Sequence, residues 1–292
     1  MERVFALAVE AVAAPLDAYD TALQDIIADP DHRDVLRRLN EFLDGVPKSG
    51  RLPHQAPVSW RIVPTVLATV ARTVRGALDS AEQSLQSVAH NPVYLPPEPD
   101  HPNGRAISPG GFHNHQASRA IDMLNIAGAD ICALATKQTS RLLDGAPFGF
   151  PKLLVPADSS VIGTEFLAWS QVSHAERARQ AATPAVLPIG LEDPGGGQSD
   201  VATPVFLAYE RYLDVADSVD ASLATLSIAI IQAFRISGRL PPPKLEELHE
   251  ALDTIVPPFE QDRISDLGAT LRLLKTAYSE AAIGRGDMAP LI

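Results

Sequence analysis

Apolar positions recur every three to four residues along most of the chain, the period of a helix with one buried face. Val63, Val66, Val70, Val74, Ala77, Ala81, Leu85 and Val88 form one such stripe and predict a long helix over Val63 to Val88. Pro64 fits its first turn, where a missing N–H costs nothing, and Asn91-Pro92 ends the element. A second long helix is predicted from Gln116 to Asp144, with Ile121, Leu124, Gly128, Ile131 and Ala135 on one side. Met123, Ile126 and Leu134 widen its apolar arc, so it is expected to lie among several neighbours. A third, from about Val201 to Arg235, keeps a 3,4,3,4 alternation through Tyr209, Tyr212, Ala216, Val219, Leu223, Leu226 and Ile230. That spacing suits antiparallel bundle or coiled-coil packing.

Shorter helices are predicted near Glu2–Asp29, His32–Leu43, Val161–Ala182, Leu245–Leu252 and Asp262–Ile283. Proline and glycine mark loops at Val93–Gly111, Gly145–Asp158, Thr183–Gly197 and Leu240–Pro243. No run alternates with period two, so essentially no core strands are expected, and no repeat of solenoid period occurs. The fold class is all-α. A single helical domain over residues 1–292 is expected, with a core bundle at about 1–238 and a helical extension at about 244–292. Loops this long inside a compact domain tend to be functional.

Charge and composition narrow the partners. With 24 Lys+Arg against 36 Asp+Glu, the net charge is −12, which argues against a nonspecific nucleic-acid binder. At 46% hydrophobic and 21% charged, the composition is that of a soluble globular protein. Cys132 is the single cysteine, so neither an internal disulfide nor a cysteine zinc cluster can form. The longest apolar run, Ala221 to Phe234, is fourteen residues, short of the ~20 a spanning helix needs. At the N-terminus Glu2 and Glu10 interrupt the apolar stretch, and Val4, Leu7, Ala11 and Ala14 fall on a helical stripe. That segment reads as a helix rather than a secretory leader, and a cytoplasmic location is expected. The start at Met1 sets the expectation of a complete short polypeptide.

Local motifs leave alternatives open. Gly195-Gly196-Gly197 has no Lys-Ser/Thr after it and reads as a flexible turn. His113-Asn114-His115 offers two metal-ligand side chains, with His101 and Asp122 as further ligands; capping of the next helix by Asn114 or His115 is the plainer account, and no metal is expected. Arg61, at a predicted helix start beside Trp60, is either a two-point fork for a carboxylate or a surface ion pair. Glu176 lies among Arg177 and Arg179 and can be a solvated helical charge, while Glu192-Asp193 can be a turn former. No nucleophile elbow is readable.

Taken in order, several segments resemble the aromatic amino acid ammonia-lyases, the histidine and phenylalanine ammonia-lyase family. Gln55–Pro64 (QAPVSWRIVP) is similar to the family's Q-D-P-Y-S-L-R-x-x-P stretch. Ala89–Tyr94 (AHNPVY) is similar to S-D-N-P, and Ser108–His113 (SPGGFH) to S-G-G-N-F-H. Asp122 falls where the next helix of the family carries an Asp. AERARQAATP resembles S-E-N-K-x-x-x-x-P, and Leu191–Asp193 resembles Q-E-D. The resemblance runs from roughly Leu7 to Phe234 and covers only the C-terminal part of the family. It implies a bundle like the central and C-terminal helices of the ammonia-lyase fold.

It also implies a reaction: elimination of ammonia from an α-amino acid to give an α,β-unsaturated acid. Arg61 matches the Arg that binds the substrate carboxylate, and Gln55 a Gln lining the site. Phe112 matches the Phe packed near the prosthetic group, Glu176 the Glu near the substrate's amine or side chain, and Glu192 the acid of Q-E-D. The Ala-Ser-Gly tripeptide that cyclises to the methylidene-imidazolone does not occur in this chain. Ile236-Ser237-Gly238 reads instead as a helix C-terminus with Gly238 in a left-handed cap. The expectation is therefore the small subunit of a split lyase, with no cofactor of its own. A second subunit would carry the methylidene-imidazolone, within a hetero- or homo-oligomer whose sites draw on several protomers. The alternative is a catalytically silent scaffold or regulatory subunit. Val58 in place of the family's Tyr and Leu191 in place of Gln support it; with Ala56 in place of Asp and Gly111 in place of Asn they put ordinary turnover in doubt, since one lost donor can cost about 10²–10³ in rate.

Overall fold

A computed structural model describes residues 1–155, 164–187, 196–197, 200–259, 266–282 and 284. Four long helices make its centre: α4 (Val63–Gln86), α5 (His115–Asp144), α6 (Glu165–Ala181) and α7 (Val205–Ser237). Hydrogen bonds fix their directions. Gln116 Nε2 at the start of α5 donates to Ser84 Oγ near the end of α4, and Gln138 Nε2 near the end of α5 donates to Ser59 O just before α4. α4 and α5 are therefore antiparallel. Asn125 Nδ2 donates to Ala208 O and Gln232 Nε2 to Leu154 O, so α5 and α7 run the same way, with α6 returning between them. The result is an up-down-up-down bundle.

α7 is the axis of the core. Every residue from Ala221 to Phe234 is buried, as its all-round apolar sequence requires. By length and composition this helix could cross a membrane, but 78% of its apolar window is buried inside the bundle. Gly128 lets α5 approach α7: a Cβ there would meet Val215 Cγ1 at 2.4 Å. Gly238 ends α7 at φ +64, with its N–H on Phe234 O at 2.9 Å, the predicted left-handed cap.

The flanking elements close the bundle. α1 (Glu2–Ala11) is almost wholly buried and packs on α7, α2 (Pro30–Phe42) packs on α4, and α8 (Glu246–Ile255) and α9 (Leu267–Ala282) cover the far side of α7. Glu10, at 1% exposure, accepts from Arg51 Nη2 at 2.5 Å and from Arg239 Nε at 3.1 Å, joining α1 to the chain after α7.

Two expectations need correction. The helix expected over Glu2–Asp29 stops at Ala11; Ala13 turns to φ 49, Pro15 cannot continue the ladder, and two 3-10 turns follow at Asp17–Tyr19 and Thr21–Asp25. The expected loop Val93–Gly111 contains a small surface hairpin, β1 (Val93–Leu95) paired antiparallel with β2 (Arg105–Ile107). The other helices fall within a few residues of their predicted bounds. Residues 161–163, 262–265 and 283 of the predicted helices lie outside the described residues.

Candidate functional site

Arg61 closes a four-residue helix, α3 (Val58–Arg61), that joins α4 through Ile62. The turn is held from three sides. Gln138 donates to Ser59 O at 2.8 Å, the fully buried Trp60 donates from Nε1 to Ala8 O at 3.1 Å, and Tyr19 donates its O–H to Trp60 O. Phe148 packs edge-on to Trp60 with ring centroids 4.9 Å apart. Arg61 itself is exposed and donates from Nε to Ala56 O at 3.0 Å, which stiffens the Gln55–Arg61 segment. Among the described residues no ion pair engages its guanidinium, so its two Nη groups remain for a carboxylate. Gln55 is exposed on the same segment.

Beside this turn lies a cleft of about 620 Å³ between α3–α4 and α5. Val58, Ile62 and Val66 form one wall; Asp130, Leu134, Lys137 and Arg141 of α5 form the other. Val58 is 56% exposed here and offers no hydroxyl. Burial raises the carboxyl of Asp130 above the ordinary carboxylate range. Neither Asp130 nor Lys137 stands in a recognisable motif. Their three-and-four spacing with Ala133 along α5 was the available signal.

Phe112 sits elsewhere. It lies in a 3-10 turn, Gly111–His113, ahead of α5, and is 58% exposed. A second cleft of about 510 Å³, lined by Ser84, Ser87, Gly110, Gly111, His113 and His115 among others, adjoins it. His113 Nε2 lies 3.2 Å from Ala202 O and His113 O accepts from Thr203 at 2.9 Å, so this histidine pins the entry to α7. Asn114 occupies the cap position of α5 in a left-handed conformation without a side-chain cap bond, which corrects the expected capping. Asp122 is buried and accepts from Ala185 N at 3.0 Å, tying the segment after α6 to α5.

Glu176 is exposed on α6, about a turn and a half before its end. Arg179 donates to its Oε2 from Nη2 at 2.5 Å and holds the carboxyl below its ordinary range. Glu192 and Leu191 lie outside the described residues.

One chain does not gather these groups. Arg61 stands at the level of Gln138, and Phe112 precedes His115; the intervening stretch of α5 spans about 35 Å at 1.5 Å per residue. No small molecule can touch both side chains within one chain.

The fold is a long-helix bundle that exposes a guanidinium at one end and an aromatic turn at the other. The profile of the aromatic amino acid lyases matches residues 1–254, and the chain belongs to that family. It is 25% identical over 269 residues to histidine ammonia-lyase of Geobacillus thermodenitrificans (strain NG80-2), covering 90% of this chain and 52% of that protein. To tyrosine 2,3-aminomutase of Myxococcus fulvus it is 28% identical over 245 residues, covering 80% and 44%. The crystal structure of histidine ammonia-lyase from Trypanosoma cruzi superposes with TM-score 0.82 at 17% identity, covering 99% of this chain and 55% of that one. Pantoea agglomerans phenylalanine aminomutase gives 0.81 at 20%, covering 95% and 57%. The chain thus spans about half the length of the curated relatives it matches.

Proposed function

We propose that this chain is the carboxylate-gripping half of an aromatic amino acid ammonia-lyase-like enzyme, completed by a partner chain that carries the Ala-Ser-Gly half. The observation that carries this reading is Arg61. Its turn is fixed by three hydrogen bonds, two of them buried, while its Nη groups stay uncommitted among the described residues. A bare surface charge needs no such support. The substrate would be a small α-amino acid, its carboxylate held in the fork of Arg61 and its ring against Phe112 from another copy. When present, the methylidene-imidazolone supplies the electrophile that activates the amine or the ring. This chain's side chains bind and orient. Glu176, already held by Arg179, fits an electrostatic role for a cationic amine better than that of a base.

The test is reconstitution. The chain alone should form no unsaturated acid from an aromatic amino acid. Co-expression with a polypeptide bearing the cyclised tripeptide should give turnover followed by ultraviolet absorbance. Arg61→Ala should raise KM and lower kcat/KM by about 10²-fold or more, since a charge-assisted bidentate contact is lost. If the assembled pair converts no amino acid and Arg61→Ala changes nothing, the reading is wrong.

Val58 favours a second reading, a lyase-like scaffold that binds an amino acid or a partner without turnover. It predicts binding of an aromatic amino acid to the assembled pair, weakened by Arg61→Ala, with no product.

A further inference from the structure

The cluster around Glu10 is unequal in charge. One carboxylate faces two guanidinium groups, so an excess positive charge remains. Arg51 is tied on every side: Nε donates to Pro47 O and Nη1 to Ala14 O, both at 2.8 Å, and Nη2 donates to Glu10. Arg239, 20% exposed, turns only one edge to Glu10, through Nε and Nη2. Among the described residues no hydrogen bond or ion pair engages its Nη1. Its backbone is fixed as well, since Arg239 N donates to Ser237 Oγ at 3.3 Å. An excess cation taken largely out of water is unfavourable unless an anion meets it.

Two cavities touch Arg239, and the charges around them differ. One, of about 270 Å³, is also lined by Glu10 and Glu246, so an anion there would meet two carboxylates. The other, of about 300 Å³, is lined by Arg51 and Arg239 and, among the described residues, by no acid. Phe148 and Phe150 supply its apolar wall, with ring centroids 6.0 Å apart. That volume is at the small end of ligand pockets and suits one ring bearing a carboxylate. On a chain of net charge −12, most of the surface repels such an ion; here two guanidinium groups attract it.

We infer that this cavity binds a small aryl carboxylate, its acid on Arg239 Nη1 and its ring on Phe148 and Phe150. The site is distinct from the Arg61 fork but coupled to it. Phe148 is the ring that packs on Trp60 with centroids 4.9 Å apart, so the ligand sits one side chain from the turn that carries Arg61. Trp60 therefore reports occupancy.

The experiment titrates the full chain with sodium benzoate at constant ionic strength. Trp169→Phe, a change at an exposed position, leaves Trp60 as the one tryptophan. Its emission should change saturably, with a Kd of about 1 mM or tighter. Arg239→Gln leaves Glu10 and Arg51 as a balanced pair, so the fold should stand while benzoate binds about tenfold more weakly or worse. Should Arg239→Gln not fold, Phe150→Ala decides the matter, since it thins the wall without touching the charges and should weaken binding about two- to tenfold. Arg61→Ala should bind benzoate at this cavity as the parent does, one per chain by calorimetry. Benzyl alcohol, which lacks the charge, and chloride, which lacks the ring, should each bind at least about tenfold more weakly. No saturable change, binding that is lost in Arg61→Ala but kept in Arg239→Gln or Phe150→Ala, or equal binding of benzyl alcohol or chloride overturns the inference. None of these results depends on turnover, so the Arg61 reading and this one stand or fall separately.

Discussion

Replacing Glu10 by Gln should destabilise the protein severely although it changes only one atom's identity. The Glu10 side chain is 1% exposed and faces two guanidinium groups, those of Arg51, itself 7% exposed, and Arg239. Gln keeps one acceptor oxygen but turns an NH2 toward the second arginine, donor against donor. Two cations then remain without a counter-charge in a desolvated site. Breaking a buried pair from one side costs about 3–5 kcal/mol. Set against a total stability of about 5–15 kcal/mol for a domain, that is at least about a fifth of it. Urea denaturation followed by circular dichroism should show a lower midpoint with an unchanged slope. Replacing all three residues by apolar ones of similar volume should recover much of the loss, because both stranded charges then disappear. If Glu10→Gln unfolds within about 1 kcal/mol of the parent, the triad is not the clasp described above.

Other outcomes follow from single contacts. Gly128→Ala puts a methyl where Val215 Cγ1 lies 2.4 Å away, and overpacking of this kind should lower stability by about 1–3 kcal/mol; Gly128→Ala with Val215→Ala should recover part of that in the same denaturation assay. Burial, with Asp217 adding to it, pushes the Asp220 carboxyl up to about 6. The folded state therefore holds this proton more tightly than the unfolded one, so the group contributes stability below the unfolded value near 3.8 and loses it as pH rises through 6. Asp220→Asn should flatten the stability profile between those limits; an unchanged slope would falsify the assignment. Burial also pushes the Cys132 thiol up to about 11, so a thiol reagent at neutral pH should label it only as fast as the protein opens, and quickly in denaturant.

Much of the helical frame was legible from spacing alone. The stripes of α4, α5 and α7 found their helices, and Gly238 marked the end of α7, because burial on one face leaves a period that survives without knowledge of the neighbours. The failures share a cause. Ala13 and Pro15 break α1 where the apolar pattern still runs on, since backbone geometry is not written in hydropathy. Glu10 reads in sequence as a charge interrupting an apolar stretch; its partner Arg239 lies 229 residues away, so no local window could identify it as a core group. The candidate site was legible as a set of residue types and illegible as a place. Order along the chain says that Arg61 precedes Phe112. It does not say that α5 carries them to opposite ends of the bundle, which depends on α4 and α5 running in opposite directions.

The bond between Arg239 and Glu10 also sets when the molecule can become whole. A ribosome that has finished α1, α4 and α5 has made walls with nothing between them, because α7, the strut they lean on, is translated after all three. Until residue 239 emerges, α1 has no place to rest, and newborn chains must shelter that greasy surface or clump.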